Sequence, residues 1–372
     1  RSTLFPYTTL FRSVKLPTLG MAQGQSGLVM SDLDRSVRPA DDFYQFATGG
    51  WQKNNPLPAA YSRFGSFDQL QEENNKRINS ILSELLKKKF KPGSTEQKLS
   101  DYYKLAMDST RREKEGLAPV AALLAEVENA KTKADLEQLQ LKYAIYGYGV
   151  GFGSYFGADE KNVTMNILTI NQGGLTLGQK DYYVNNDPAT VAIREAYHKH
   201  IARMFRLYGF NEAQAEARRD AIFRMETALA LVSKSVTELR DPQANYNKMT
   251  LKQFKENYPN INLEAMANAE GVKSAYIQEM IVGQPGFMAG YDKLYGAATA
   301  DDLRAVIEWD IIQNSASYLT NEIRLANFDF FGKTMSGRKE EYPLWKRATN
   351  QVEAQMGEAL GKMNLTDRKS VV

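Results

Sequence analysis

Two histidines, His198 and His200, supply all the imidazole in this 372-residue chain, and cysteine is absent. The apolar spacing over 188–208 predicts a helix around them, and residues two apart on a helix point about 200° away from each other. They cannot share one ion as residues i and i+4 can. A zinc site of the His-Glu-x-x-His kind is therefore excluded for them. A Ser-His-Asp triad would need one of the same two rings, and no Gly-x-Ser-x-Gly turn leads into a helix. On residue types alone they read as a solvated pair beside Arg194 and Lys199. The lack of cysteine removes disulfides, thiolate zinc sites and cysteine nucleophiles, and leaves the redox compartment open.

Other positions invite chemistry less strongly. Gly147, Gly149, Gly151, Gly153 and Gly157 suggest a phosphate loop, but they follow a predicted helix and lack the Gly-x-Gly-x-x-Gly register. Alternating aromatics and glycines predict instead an edge strand packed closely on neighbouring backbone. Asp41 and Asp42 read as helix-start charges, with no third acid or base beside them. Trp51 reads as a packing anchor. Arg63 reads as a loop arginine ahead of Ser66, which could cap the next helix. The triplets at Asn162 and Asn364 fit the glycosylation pattern, which arises often by chance.

The elements that must hold these residues are mostly helices. Asp41 to Trp51 predicts a short helix closed by Gly49 and Gly50, and Asn54 to Pro58 a proline-bounded loop. From Ser66 a long helix keeps Phe67, Leu70, Ile78, Ile81, Leu82 and Leu85 at near-helical spacing. Further helices are predicted at 95–115, 118–130, 133–146, 188–208, 211–239, 250–257, 274–282, 301–327 and 339–362. The one break is a β-hairpin at about 146–172, turning at Asp159-Glu160-Lys161-Asn162. The fold class is mainly α, a multi-helical lobe with that hairpin. At 43% hydrophobic and 24% charged residues, the composition is that of a globular protein with a sizeable core. No run of about 18 apolar residues exists to span a membrane, and a formal charge of +3 is too small to argue for nucleic acid.

Both ends look foreign. Residues 1–13 have neither a signal-peptide layout nor a helical period, and they resemble a translated sequencing-library adaptor. Writing Tyr7 to Ser13 in the adaptor's codons and shifting the complementary strand by one base yields Asp367-Arg368-Lys369-Ser370-Val371-Val372, followed by a stop. Residues 1–13 and 367–372 are therefore expected to be adaptor-derived. Segment 14–35 is then expected to be a flexible lead-in, and 36–366 one domain. Without those ends the chain loses four bases and one acid, and its formal charge becomes zero.

Four groups of motifs carry a resemblance. Asp41-Asp42-Phe43-Tyr44-Gln45-Phe46-Ala47-Thr48-Gly49-Gly50-Trp51 precedes Tyr61-Ser62-Arg63-Phe64-Gly65-Ser66-Phe67. Asp159-Glu160-Lys161-Asn162 precedes Gln172-Gly173-Gly174-Leu175 and Asp181-Tyr182-Tyr183. Then come Tyr246-Asn247-Lys248-Met249-Thr250 and, last, Phe331-Gly332-Lys333-Thr334 with Trp345-Lys346-Arg347 and Glu358-Ala359-Leu360-Gly361-Lys362. In this order they resemble the N-terminal half of the neprilysin and endothelin-converting-enzyme family of zinc metallopeptidases. Gly178 and Lys180 depart from the family's usual Pro and Arg. Ala47 replaces a cysteine of its vertebrate members, which points to a disulfide-free bacterial oligoendopeptidase type.

The resemblance implies the N-terminal cover domain of a two-lobed metalloendopeptidase, whose chamber admits short peptides. The parent would hydrolyse them with a zinc-bound water and a glutamate base. The zinc ligands and that glutamate lie, in the family, beyond the last motif found here. The chain alone is accordingly expected to bind no zinc and cleave nothing, its partners being short peptides and the missing C-terminal catalytic domain. Arg63 matches the family's arginine for the free carboxylate of the bound peptide, a role that suits a planar guanidinium. Localisation leans to the bacterial periplasm or exterior. The rival reading is a non-catalytic helical binding or scaffold protein derived from the same family.

Overall fold

The computed structural model describes residues 29–149 and 151–370. The proposed adaptor residues 1–13 and 371–372, and residues 14–28 of the expected lead-in, lie outside that range. The chain divides into two compact units, the first comprising described residues up to Pro58 together with Arg63–Phe67, the second Ala59–Ser62 and everything from Asp68 onward.

In the first unit, residues 29–35 of the expected lead-in carry a 3₁₀ turn, Met30–Asp32, followed by helix α1, Phe43–Asn54. Asp42 starts that helix by accepting a 2.9 Å hydrogen bond from the Gln45 N–H, as a helix-start acid should. The expectation that glycines close the helix is corrected: α1 runs through Gly49 and Gly50 to Asn54. Gly50 lies against the turn and Gly49 against Asp34, which follows it. A Cβ at Gly50 would strike the Ser31 carbonyl oxygen and stand 2.9 Å from the Asp32 carbonyl carbon.

Helix α2, Ser66–Leu85, starts at Ser66 itself. In the second unit it is followed by α3 (Thr95–Met107), α4 (Ser109–Glu115), α5 (Ala118–Asn129) and α6 (Lys133–Lys142). Asp108 splits the single helix expected over 95–115, since its carboxylate caps α4 through the Arg111 N–H. The hairpin forms strands β1 (Phe152–Asp159) and β2 (Asn162–Gln172). Then come α7 (Asp181–Val184), α8 (Pro188–Leu207), α9 (Glu212–Val232), strand β3 (Lys248–Thr250), α10 (Leu251–Asn257) and α11 (Leu263–Ala269). Strand β4 (Glu279–Val282), α12 (Pro285–Ala297), α13 (Ala300–Ser315), α14 (Asn321–Phe328) and α15 (Leu344–Ser370, kinked at Met356) complete the unit. Capping boxes at Thr132, Asn211, Thr250 and Thr299 close four of these starts.

The sheet is larger than a hairpin. Its order is β1-β2-β4-β3, with β4 parallel to β2 and antiparallel to β3. The helix expected over 274–282 is thereby corrected to a 3₁₀ turn and a strand. Met280, Ile281 and Val282 are buried, and a short apolar run buried on both faces has no strand alternation to read. As expected, β1 forms an edge. Gly173 and Gly174 lie against the Gly151–Phe152 backbone, where a Cβ would come within about 3 Å.

Three apolar clusters hold the second unit. Tyr197, Ile201, Phe205, Trp309 and Ile312 centre the largest. The second packs β2 and β4 against α10 and α12, and the third joins α2, α3 and α15. Between α14 and α15, Asp329–Met335 forms a π-helix, where Gly332 lies under the Phe328 ring with no room for a Cβ.

Candidate functional site

Arg63 lies on the wall of an open recess of about 620 Å³ in the first unit. One face of α1 builds the opposite wall. Tyr44, Thr48, Trp51 and Asn55 recur at helical spacing. The face is tied along its length by Thr48 Oγ donating to the Tyr44 carbonyl at 2.7 Å, Gln52 Nε2 to Thr48 Oγ at 2.8 Å, and Asn55 Nδ2 to the Trp51 carbonyl at 2.8 Å. Trp51 stacks on Phe64 with ring centroids 6.3 Å apart and planes 23° apart. It is thus a packing residue whose ring also lines the recess, as the sequence suggested in its first part only. The exposed Arg63 guanidinium has no hydrogen bond or ion pair among the described residues. A free guanidinium beside an aromatic wall can grip a carboxylate through two parallel N–H bonds. Asp32, on the same recess, supplies an opposing charge.

The histidines diverge, as expected, but the solvated reading is corrected. His200 is 4% exposed and stacks on Phe330 at 4.8 Å, with Phe331 and Trp309 edge-on to it. Burial, reinforced by Arg203, pushes its pKa down to about 3, so the ring is neutral. His198 packs edge-on against Phe223, and burial lowers its pKa as well, with Arg219 adding to the effect. Among the described residues no three His, Asp or Glu side chains converge as a metal site.

Several motif residues hold the fold together. Lys346, 3% exposed, donates to Tyr61 Oη at 2.6 Å and pairs with Glu72, which also accepts from Tyr61. Its ammonium lies 3.6 Å from the centre of the Tyr342 ring, a caged cation that joins the first motif group to the last. Buried Asp159 accepts from Tyr246 Oη at 2.8 Å and lies 3.6 Å from Lys248 Nζ, joining the second group to the third. Gln172 accepts from the Lys234 N–H and donates to its carbonyl.

Sequence reasoning passed over the buried acids. Glu226 sits inside the largest cluster and accepts from Thr176 Oγ at 2.6 Å, Tyr183 Oη at 2.6 Å and Tyr197 Oη at 2.9 Å. Burial outweighs those bonds and raises its pKa to about 7. Asp310 takes the Gly149 N–H at 2.6 Å, and burial raises it also to about 7, with Glu226 contributing. Both line a cavity of about 290 Å³ together with Trp309 and Tyr291. A lone acid within an apolar helical stripe was the only available signal.

The family profile described as Peptidase family M13 matches residues 39–368. Endothelin-converting enzyme 1 of Rattus norvegicus is 27% identical over 345 residues, covering 90% of this chain and 45% of that protein. Neprilysin-3 of Drosophila melanogaster is 26% identical over 355 residues, again covering 90% and 45%. The crystal structure of zinc metalloprotease Zmp1 from Mycobacterium tuberculosis, in complex with an inhibitor, matches with a TM-score of 0.86 at 27% identity, over 92% of this chain and 52% of that one. PepO from Lactobacillus rhamnosis HN001, 21% identical with a TM-score of 0.70 over 84% and 49%, shares the fold. The chain spans about half the length of these relatives or less. By the extent of the profile match, the chain belongs to peptidase family M13, of which it carries the N-terminal, mainly helical part.

Proposed function

We propose that this chain is the substrate-enclosing part of a zinc-dependent metalloendopeptidase that hydrolyses short peptides, and that Arg63 pairs with the free carboxylate of the bound peptide. The observation that carries the reading is the unpaired Arg63 guanidinium beside the Trp51 and Phe64 rings. The zinc ligands and the general base belong to the C-terminal part of the parent, so the chain alone is proposed to be inactive. Family membership and the similarity to Zmp1 support this reading. Export from a bacterial cell is proposed with it. Among the described residues no helix is long and apolar enough to cross a membrane.

Two measurements test it. In the parent enzyme, Arg63→Gln should raise KM about tenfold for a peptide with a free carboxyl end and leave its amidated twin unchanged. Equal effects on both peptides would remove Arg63 from carboxylate recognition. For the chain itself, elemental analysis should find no stoichiometric zinc, and no short peptide should be cleaved. Stoichiometric metal or cleavage would overturn the division of labour. Absence of a His-Glu-x-x-His codon run in the DNA beyond Thr366 would favour the non-catalytic rival.

A further inference from the structure

Three guanidiniums converge in the second unit from three different helices: Arg112 of α4, Arg324 of α14 and Arg347 of α15. Arg324 and Arg347 also line a cavity of about 350 Å³ with Arg338. Of the acids around them, Glu341 alone shares the cavity. Glu341 pairs with Arg324 and lies 3.9 Å from Arg347 Nη1. Glu113 is engaged by the Asn321 N–H at 2.7 Å, and Asp108 by the cap of α4. Arg112 is directed away, donating to the Ala106 carbonyl at 2.6 Å.

Donors are left over. Arg324 Nε and Arg347 Nε are buried without a hydrogen-bond partner, and so is the Asn327 amide oxygen in the same cavity. An amide flip would turn Asn327 into a donor facing the same space. Arg338 is held by Nε donating to the Ala60 carbonyl at 2.9 Å and by its guanidinium carbon 4.3 Å from the Tyr342 ring centre. That geometry leaves its terminal nitrogens for another acceptor. Burial, then Arg347 and Arg112, lowers the Arg324 pKa to about 10, the mark of a cation short of compensating charge. Buried donors without acceptors are rare in folded proteins and ordinarily have a partner.

We propose that this cavity is an oxyanion-binding site, in which Arg324, Arg338 and Arg347 grip a phosphate, sulfate or carboxylate group. Among the residues lining the cavity, three arginines against Glu341 leave an excess of positive charge, which an oxyanion reduces. The guanidinium forks suit planar, multidentate recognition of such oxygens, where lysines would offer only point charges. The site is independent of the role given to Arg63.

The test titrates the full chain with sodium phosphate, sodium sulfate and sodium succinate, each against sodium chloride at matched ionic strength. Thermal midpoints and calorimetric binding are recorded. Phosphate should raise the midpoint saturably by about 2–4 °C beyond chloride, and calorimetry should give one site. A response to phosphate and sulfate alone assigns a phosphate-type ligand, whereas an equal response to succinate assigns a carboxylate source. Arg347→Gln and Arg338→Gln should each weaken binding at least tenfold, and Lys88→Gln, at an exposed lysine outside the cavity, should leave it unchanged. Absence of saturable binding to the unmodified chain overturns the proposal without reliance on any variant. An increment surviving in both arginine variants does the same.

Discussion

Glu226 and Asp310 carry their carboxyls into the helical core with no ion pair among the described residues, and burial raises both to about 7. Their folded pKa values therefore exceed the unfolded ones of about 4. Between about pH 4 and 7 the native state holds protons at these two sites that the unfolded chain has released, so their contribution to stability falls as pH rises through that window and levels off above it, opposed by neutral His200, whose contribution rises with pH. Between pH 5 and pH 8 the Glu226 contribution, read as the difference in thermal midpoint from Glu226→Gln, is expected to fall by the equivalent of about 2 kcal/mol. Glu226→Gln should flatten the slope while lowering stability by about 1 kcal/mol at pH 5, because the amide cannot accept from all three hydroxyls. A slope unchanged in the variant would reassign the effect to other groups. Nothing in the sequence reveals these shifts, since Glu226 differs from any helical glutamate only by what surrounds it.

At the level of elements, glycines separate two kinds of helix. Gly50 and Gly361 both sit inside helices, α1 and α15, where alanine ordinarily adds about 1 kcal/mol. A Cβ at Gly361 meets nothing within 4 Å, whereas one at Gly50 collides with the 3₁₀ turn. Gly361→Ala should therefore stabilise the protein, and Gly50→Ala should destabilise the first unit. Hydrogen exchange at the Asp34 N–H, bonded to the Phe46 carbonyl at 2.8 Å, should accelerate in Gly50→Ala alone. Slower exchange there would mean that the turn simply shifts aside. Helix starts were legible because a capping side chain bonds a neighbour three residues on, as Asp42 does to Gln45. The run through Gly49 and Gly50 was not, because the turn that requires them precedes α1 and has no periodic signature.

Across the whole molecule, β4 joins β2 to β3 and carries side chains of the second core cluster. Met280→Ala is expected to cost about 3 kcal/mol in urea unfolding, whereas Tyr276→Ala, at a site 67% exposed, should stay within about 0.5 kcal/mol. A small loss at Met280 would show that the cluster collapses around the gap. The amino-acid sequence by itself determined what depends on near neighbours: the helical stripes and many of their caps, the divergence of His198 from His200, the hairpin turn, and the ordered motifs that identify the family. The tertiary structure alone decided what depends on residues far apart in the chain. It buried His200 among aromatic rings, and it made a strand of 279–282 by setting it between 168–170 and 248–250. It caged Lys346 with Tyr61 and gathered Arg324, Arg338 and Arg347 around one cavity. Periodicity and capping act over a turn or two of helix, whereas burial, desolvation and strand pairing are set by chain segments that meet only on folding.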